Sequence, residues 1–265
     1  MPKIFNNYYE FFLGGGSVLF GILYLRLQKK VLIKGNIYAF DINKDLINVY
    51  RVVQNNSKAL YNCLETYSQY YLSKSSMEEK KCYYLKVRDR YNKIKVTTIE
   101  RAAMFIFLNK TCFRGLHRVG PNGFNVPFGN YSKPKINFDK ENLMFLSSFI
   151  KDVIFKQETF ETAFQNCKKD DFIYLDPPYA PETLNSFVSY TKEKFPIDQH
   201  IRLFKAVKGL SKNGILFLMS NSKVNLVLKF FKEFFIDDVL ARRRINAKFP
   251  SSKKLEVLIY NFIKW

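Results

Sequence analysis

The stretch FIYLDPPYAP, residues 172–181, runs through four apolar or aromatic residues and then places an acid, two prolines and a tyrosine in a row. The first four residues are typical of a buried strand in a parallel sheet. In open α/β sheets, ligands bind in the crevice outside the carboxyl ends of the strands. We therefore predict that Asp176 and Tyr179 belong to a site at the end of a strand.

Two segments near the N-terminus predict the first βαβ unit of the same sheet. YYEFFLGGGSVLFGILYLRL, residues 8–27, has the pattern of a strand, a glycine turn and a helix, and NIYAFDINKDLINVY, residues 36–50, that of a strand closed by Asp41. The glycines let the backbone pass close to a ligand, and the acid can accept hydrogen bonds from ribose hydroxyls. Taken alone, this pattern also fits domains that bind nothing.

The chain from about residue 51 to 149 has long polar segments, rich in Tyr and Lys, with helical spacing and no strand pattern. We predict a mainly helical insertion. It ends in NKTCFRGLHRVGPNGFNVPFGNYSKP, residues 109–134, which is too rich in Gly, Pro and Asn for regular structure. Basic residues interleaved with aromatic ones suit phosphate contacts and base stacking. Those of this loop are Phe113, Arg114, Arg118, Phe124 and Phe128. An ordered surface loop is the alternative.

The α/β pattern resumes after the insertion. A helix is predicted within 196–210, a strand within 214–222, a helix within 224–235, and two basic strands within 237–246 and 255–262. This alternation predicts an α/β fold with a Rossmann-like, doubly wound sheet.

The composition indicates a polyanionic partner. The chain of 265 residues has 43 Lys and Arg against 23 Asp and Glu, a formal net charge of +20. Nucleic acid is the first candidate and an anionic membrane surface the second. Arg242, Arg243 and Arg244, with Lys253 and Lys254, flank the predicted C-terminal hairpin.

The cysteines, the histidines and the N-terminal sequence argue against a disulfide-bonded, metal-binding, secreted or membrane-spanning protein. The four cysteines are scattered without close pairs, which predicts free thiols in a reducing compartment, and two histidines are too few for a usual metal site. No secretory signal and no apolar run of transmembrane length is present. We expect a soluble, cytoplasmic protein without a metal.

Five segments, in the order EFFLGGGSVLF, AFDINKDLINVY, FRGLHRVGPNGFNVPFGNY, YLDPPYAP and LMSNS, resemble the Dam-type DNA adenine N6-methyltransferases of the D12 class, in their alpha arrangement. The resemblance spans nearly the whole chain. It implies a catalytic domain formed by residues 1–50 and 150–265, and a helical target-recognition insertion at 51–149.

The resemblance implies methyl transfer from S-adenosylmethionine to N6 of an adenine flipped out of double-stranded DNA. N6 is a poor nucleophile because its lone pair is delocalised into the ring, so a catalyst must accept hydrogen bonds from its amino hydrogens. Asp176 and the carbonyl of Pro177 are the expected acceptors, Pro178 adds no competing donor, and Tyr179 offers a face for stacking.

The cofactor and DNA contacts are expected at positions that match the motifs of the family. The cofactor set is Glu10, Phe12, Gly14, Gly16, Ser17, Asp41, Ile42 and Asp176. The DNA set is Phe113, Arg114, Leu116, Arg118, Asn125, Pro127, Arg242, Arg243 and Lys253.

The target expected from the resemblance is GATC. In the family an arginine at the position of Arg118 reads a guanine, and apolar residues at the positions of Leu116 and Pro127 touch a thymine methyl group. Phe113 and Arg114 stand where the family usually has Tyr and Asn beside the flipped base. Phe can still wedge into the base stack, but the hydrogen-bonding member of the pair has changed.

Two alternatives remain open from the sequence. Family members usually begin with a Trp-x-Gly-Gly-Lys-like segment that this sequence lacks, so we expect an upstream start, a separate polypeptide that supplies the segment, or a catalytically weak DNA-binding relative. The other alternative is an RNA adenine methyltransferase. The sequence leaves three biological settings open: restriction–modification, host or viral genome marking, and self-protection.

Overall fold

The computed structural model describes residues 1–131, 136–181, 195–242 and 253–263, with the backbone alone at 241–242 and 253–254. Arg242 and Lys253 are therefore described by their backbone alone. The chain divides into two compact units: residues 1–42 with 156–265, and residues 43–155. The predicted insertion, 51–149, lies inside the range of the second unit.

Strands and helices alternate along much of the chain. The strands are β1 (Ile4–Phe5), β2 (Tyr8–Phe11), β3 (Leu32–Ile33), β4 (Ile37–Phe40), β5 (Val119–Gly120), β6 (Gly123–Phe124), β7 (Val153–Lys156), β8 (Phe172–Leu175), β9 (Leu216–Ser222), β10 (Phe235–Arg242) and β11 (Lys253–Tyr260). The helices are α1 (Ser17–Leu27), α2 (Lys44–Leu72), α3 (Met77–Lys93), α4 (Ile99–Thr111), α5 (Lys140–Phe149), α6 (Phe160–Ala163), α7 (Ile197–Lys212) and α8 (Asn225–Phe230).

The main sheet has seven strands in the order β10-β11-β9-β8-β2-β4-β7. Strand β2 pairs in parallel with β4 and β8, and β8 pairs in parallel with β9. Among the pairings described for the main sheet, those of β11 with β9 and β10 are antiparallel. The fold is therefore of the α/β class with a mostly parallel central sheet, as the alternation of elements predicts.

The register of the central strands makes their carboxyl ends level. Phe11 on β2 lies opposite Phe40 on β4 and opposite Leu175 on β8. Phe11 and Phe40 stack with ring centroids 4.8 Å apart. Every residue of β2 and β8 is buried, as expected for strands covered on both faces.

Helix α7 closes part of the sheet with a single apolar face. Its buried residues recur at the spacing of an amphipathic helix. They are His200, Leu203, Phe204, Val207 and Leu210. Phe204 and Val207 lie on this face, whereas Ile197 and Ile201 are only half-buried.

The second unit contains helices α2 to α5 and the short antiparallel pair of β5 and β6. Each of the four helices begins at a side chain that accepts a hydrogen bond from a backbone N–H of the first turn. These capping residues are Asn43, Ser76, Thr98 and Asp139. Aromatic side chains such as Tyr71, Tyr84 and Phe107 fill the core of the unit.

A buried ion pair joins three helices of this unit. Arg101 on α4 reaches Asp45 at the start of α2 through Nε, 2.6 Å from Oδ1, and Nη2, 2.7 Å from Oδ2. Tyr91 on α3 donates its hydroxyl to Asp45 Oδ2 at 2.6 Å, and its ring lies under the Arg101 guanidinium. Burial acts to raise the pKa of Asp45, but the hydrogen bonds from Arg101 and Tyr91 outweigh it and the pKa is lowered.

We predict that Arg101→Ala lowers the free energy of unfolding by about 3–5 kcal/mol, because it leaves the Asp45 carboxylate buried without its partner. Urea unfolding at pH 7 measures this loss. The control is Arg90→Ala, which removes an exposed pair with Glu100 and should cost under about 1 kcal/mol. Equal losses in the two variants would contradict the prediction.

The same pair sets the sign of the pH dependence. Since the pKa of Asp45 is lowered on folding, its contribution is present above the ordinary Asp value of about 3.9 and is lost as the pH falls through the folded-state value. The difference between wild type and Arg101→Ala should therefore shrink in acid.

Candidate functional site

Three residues directly follow neighbouring strands of the main sheet, two of them acids and one with a strained backbone. Phe12 follows β2, Asp41 follows β4 and Asp176 follows β8, and the last residues of these strands are in register. The carboxyl edge of a parallel sheet is where α/β folds bind ligands. The sequence placed Asp41 and Asp176 at strand ends, and the structure brings those two ends to one edge.

The turn after β2 is held against the end of β4. Leu13 donates its N–H to the carbonyl of Phe40 at 2.9 Å, and Gly14 donates its N–H to Asp41 Oδ2 at 3.0 Å. Phe12 and Gly14 have positive φ angles of 63° and 49°. Glycine adopts this conformation without strain, and the turn brings its backbone to the Asp41 carboxylate.

Gly16 and Glu10 shape the start of α1. Gly16 is the N-cap residue in the left-handed conformation, with φ 68°. Glu10 is only 2% exposed and accepts the Tyr8 hydroxyl at 2.7 Å. Burial raises the pKa of Glu10 to about 7; the Tyr8 hydroxyl and the N–H of Leu19 oppose the rise, and the charge of Asp176 adds to it.

Side chains of β9 bind the segment after β8. Strand β9 extends three residues beyond Met219, which lies opposite the last residue of β8. Ser220 donates its hydroxyl to Asp176 Oδ1 at 2.5 Å. Asn221 Oδ1 accepts the N–H of Ala180 at 3.0 Å, and Ser222 donates to the carbonyl of Ala180 at 2.6 Å. The LMSNS segment therefore fixes both ends of the Asp176–Ala180 segment.

A cavity of about 740 Å³ opens at this edge of the sheet. Its wall combines aromatic and aliphatic side chains with five acids, a mixture typical of small-molecule sites. The apolar lining is Phe11, Phe12, Phe40, Ile42, Phe160, Pro177, Pro178, Tyr179 and Phe195. The polar lining is Gly14, Asp41, Glu158, Thr159, Glu161, Asp176, Gln199 and Glu256.

Most of the residues predicted for this site line the cavity. Of the cofactor set, Phe12, Gly14, Asp41, Ile42 and Asp176 line it, whereas Glu10, Gly16 and Ser17 do not. Residues 176–179 all line it.

Sequence reasoning missed several residues of the wall, among them Glu158, Phe160, Phe195 and Glu256. Glu158 could have been found, because it lies two residues beyond β7 and so repeats the pattern of an acid after a strand.

The predicted DNA-contacting loop displays its residues of the DNA set on the surface of the second unit, whereas Phe124 is buried and Phe128 is half-buried. Phe113, Arg114, Leu116, Arg118, Asn125 and Pro127 are all exposed. Phe124 and Val126, which alternate with Asn125 and Pro127, are buried. Arg118 Nε donates to Asn125 Oδ1 at 2.7 Å, and Nη2 donates to the Asn125 carbonyl at 3.1 Å.

The neighbouring turn is held in an unusual conformation. Arg114 has a positive φ of 56°, and its guanidinium lies 4.9 Å from the centroid of the Phe113 ring. The Tyr131 hydroxyl accepts the N–H of Arg114 at 2.6 Å and donates to the Cys112 carbonyl at 3.0 Å. A non-glycine residue in this region costs free energy and is often found at functional sites.

Helix α3 anchors the same loop from one of its faces. Tyr84 and Arg88 donate to the carbonyl of Val126, and Asn92 exchanges two hydrogen bonds with the backbone of Phe124, at 3.0 and 2.8 Å. The three side chains are spaced by four residues and therefore lie on one side of the helix.

Other expected contacts lie outside this description. Arg243 is not among the described residues, and the side chains of Arg242 and Lys253 are likewise outside them. Within the described ranges, no group of three or more His, Cys, Asp or Glu side chains could hold a metal ion. No helix of the described ranges combines the length and apolar character needed to cross a membrane.

Comparison with known proteins gives consistent matches. The family described as D12 class N6 adenine-specific DNA methyltransferase matches residues 1–245. Over 264 residues the chain is 42% identical to the Type II methyltransferase M.MjaIII of Methanocaldococcus jannaschii, covering 97% of the chain and 89% of that protein. It is 35% identical to the Type II methyltransferase M1.LlaDCHI of Lactococcus lactis subsp. cremoris, covering 99% and 88%. It is 28% identical to the DNA adenine methylase of Escherichia coli, covering 83% and 76%.

We predict that Asn92→Ala loosens the exposed loop by leaving the N–H and carbonyl of Phe124 without their partner, at a local cost of about 1–3 kcal/mol. Amide hydrogen exchange over residues 119–126 should become faster, while exchange in α2 stays unchanged. Asn62→Ala, at an exposed position of α2, is the control. Unchanged exchange in the loop would show that Tyr84 and Arg88 hold it alone.

Proposed function

The chain belongs to the D12 class of N6 adenine-specific DNA methyltransferases, and from this we propose that it transfers a methyl group from S-adenosylmethionine to an adenine flipped out of GATC. The observation that carries the proposal is Asp176 at the carboxyl end of β8, oriented by Ser220 and facing a large cavity. We propose further that the sheet is the Rossmann-like, doubly wound sheet of a methyltransferase. The names of two relatives, both Type II methyltransferases, support a role in restriction–modification.

The chemistry of the cavity wall fits the proposed cofactor. S-adenosylmethionine carries a flat purine, ribose hydroxyls and a cationic sulfonium, and when bound it supplies an electrophilic methyl group. Asp41 suits the ribose hydroxyls, and its carboxylate already meets the Gly14 N–H across the turn. Ile42, Phe160 and Phe195 supply apolar surface for the purine.

Of the remaining predicted cofactor residues, Glu10, Gly16 and Ser17 are proposed to act by shaping the turn. Glu10 is buried beside the first turn of α1, and Gly16 begins that helix. These residues therefore set where the backbone of Gly14 lies.

The Asp176–Tyr179 segment is proposed to activate N6 of adenine. Asp176 accepts one amino hydrogen and the carbonyl of Pro177 accepts the other, so the nitrogen lone pair becomes more available for attack. Pro178 has no N–H to compete with the substrate and restricts the backbone. Such pre-aimed acceptors stabilise charge that develops in the transition state, without reorganisation.

Ser220 gives Asp176 a fixed orientation. A carboxylate has two oxygens, and the bond from Ser220 occupies Oδ1. With Oδ1 held, Oδ2 is the oxygen proposed to face the target amino group. Tyr179, which is 37% exposed at the cavity, offers a ring for the extruded base to stack upon.

The loop of the second unit is proposed to read DNA. Arg118 presents a guanidinium to guanine in the major groove, and Asn125 holds that guanidinium through two hydrogen bonds. Leu116 and Pro127 offer apolar contact to a thymine methyl group. Phe113 and Arg114 are proposed to fill the gap left by the flipped base, with Arg114 in place of the family's usual Asn.

The charge of +20 supports a polyanionic substrate, and the family match favours DNA over RNA. Arg242, Arg243 and Lys253 remain proposed phosphate contacts from the sequence alone. The alternative of a catalytically weak DNA-binding relative predicts a different result: the protein would bind DNA but transfer no methyl group.

The proposal is tested by methyl transfer from labelled S-adenosylmethionine to unmethylated duplexes with and without GATC. We expect transfer to the GATC adenine, and its loss in Asp176→Ala with DNA affinity largely kept, because Asp176 acts on the base and not on the phosphates. Transfer by Asp176→Ala at the wild-type rate would overturn the mechanism. Transfer to every duplex alike would overturn the GATC assignment.

We predict that Arg118→Ala lowers discrimination at a single base pair of the target by about 1–3 kcal/mol, the range for loss of a bidentate base contact. Competition between duplexes that differ at one position measures this change. Lys110→Ala removes an exposed charge from the end of α4 and serves as the control, with the discrimination ratio unchanged. Uniform weakening by Arg118→Ala would instead identify a phosphate contact.

A further inference from the structure

Glu256 is one of three acids of the cavity wall, with Glu158 and Glu161, that the proposed chemistry does not use. It lies on β11, opposite Ser222 on β9, and lines the same cavity as Asp176 and Tyr179. Its Oε2 accepts the Tyr179 hydroxyl at 3.1 Å. Two neighbouring strands thus hold the side chains of the Asp176–Ala180 segment: Ser220 on β9 holds Asp176 and also reaches the Tyr179 hydroxyl, and Glu256 on β11 accepts the hydrogen bond from Tyr179.

The Tyr179 ring is partly open to solvent, so the hydrogen bond adds to the orientation that packing gives it. The side chain is 37% exposed, unlike Pro177 and Ala180, which are buried on either side of it in the chain. An exposed tyrosine rotates between several rotamers unless its hydroxyl is held. Stacking on an aromatic ring depends on the plane and the offset of that ring.

The direction of the hydrogen bond is defined by protonation. Burial raises the pKa of the Tyr179 hydroxyl well above its ordinary value; Ser220 opposes the rise, while the charges of Asp176 and Glu256 add to it. The hydroxyl therefore keeps its proton at neutral pH and donates it, and the carboxylate of Glu256 accepts. Hydrogen bonds to a charged acceptor are stronger than neutral ones.

We propose that Glu256 is a positioning residue for methyl transfer: by accepting the Tyr179 hydroxyl, it fixes the ring against which the target adenine stacks. This inference rests on the proposed function. It assigns Glu256 no contact with the base and no proton transfer. Its effect passes entirely through Tyr179, so the loss caused by removing Glu256 should vanish when the Tyr179 hydroxyl is already absent.

The test is a double-mutant cycle on the single-turnover rate of methyl transfer, at saturating cofactor and DNA. Glu256→Ala and Tyr179→Phe each remove the hydrogen bond, and each should slow transfer by about tenfold, the scale for one hydrogen bond to a charged group at a partly exposed site. The double variant should be no slower than either single variant, because both remove the same contact.

Two further variants separate positioning from charge. Glu256→Gln keeps an acceptor oxygen but removes the charge, and should restore most of the rate that Glu256→Ala loses. Asp238→Ala removes an acid of β10 that pairs with Lys223 at an exposed position, and should leave the rate unchanged. A second readout is the fluorine spectrum of 3-fluorotyrosine at position 179, which should shift or broaden in Glu256→Ala but not in Asp238→Ala.

The outcomes distinguish this inference from the proposed function. An active wild type with an unaffected Glu256→Ala, or with additive losses in the double variant, overturns the role of Glu256 alone. A Glu256→Gln that is as slow as Glu256→Ala while its fluorine spectrum stays like that of the wild type would show that charge, not the hold on Tyr179, matters. A wild type that transfers no methyl group overturns the proposed function and with it any role in transfer, while the fluorine spectrum still decides whether Glu256 holds the ring.

Discussion

The parallel pairing of β2 with both β4 and β8 is the constraint on which the site depends. Because Phe11 lies level with Phe40 and Leu175, three adjacent strands end at the same edge of the sheet. A register shift of one residue would turn every side chain of a strand to the other face of the sheet. The buried aromatic stack of Phe11 and Phe40 resists such a shift, so the packing of the core also determines where Asp41 and Asp176 stand.

Sequence reasoning succeeded where the signal is local. The strand that ends at Asp176, the glycine turn and the strand that ends at Asp41 each carry their pattern within a few residues, and so does the family resemblance, which the family match confirms. Ser220 and Glu256 could not be connected to Asp176 and Tyr179, because that requires the strand order β11-β9-β8, which is set by pairings between distant segments. The short strand β7 was missed, and Glu158 was missed with it.

The second unit shows the same division between local and long-range information. Residues 109–134 were predicted to lack regular structure because of their Gly, Pro and Asn content, whereas the described part contains the end of α4 and the short pair of β5 and β6. Nothing in that stretch indicates what supports it. Its support comes from one face of α3, and α3 is tied by Tyr91 to the buried pair of Asp45 and Arg101. The loop is proposed to contact DNA, and such a loop needs a rigid scaffold; the scaffold here is α3, which the buried charge network ties to α2 and α4.

The net charge of the chain and the charge of the cavity wall have opposite signs. The chain carries a formal net charge of +20, yet the described lining of the cavity includes five acids and no Lys or Arg. The long-range field of the protein attracts a polyanion, whereas the local field of the cavity stabilises a cation within it. A polyanionic DNA strand is thus disfavoured inside the cavity, and a cationic sulfonium is favoured there. On this basis the uncharged base of the proposed flipped nucleotide, which projects away from the sugar-phosphate backbone, is the part of DNA that can approach the acids without opposing their charge.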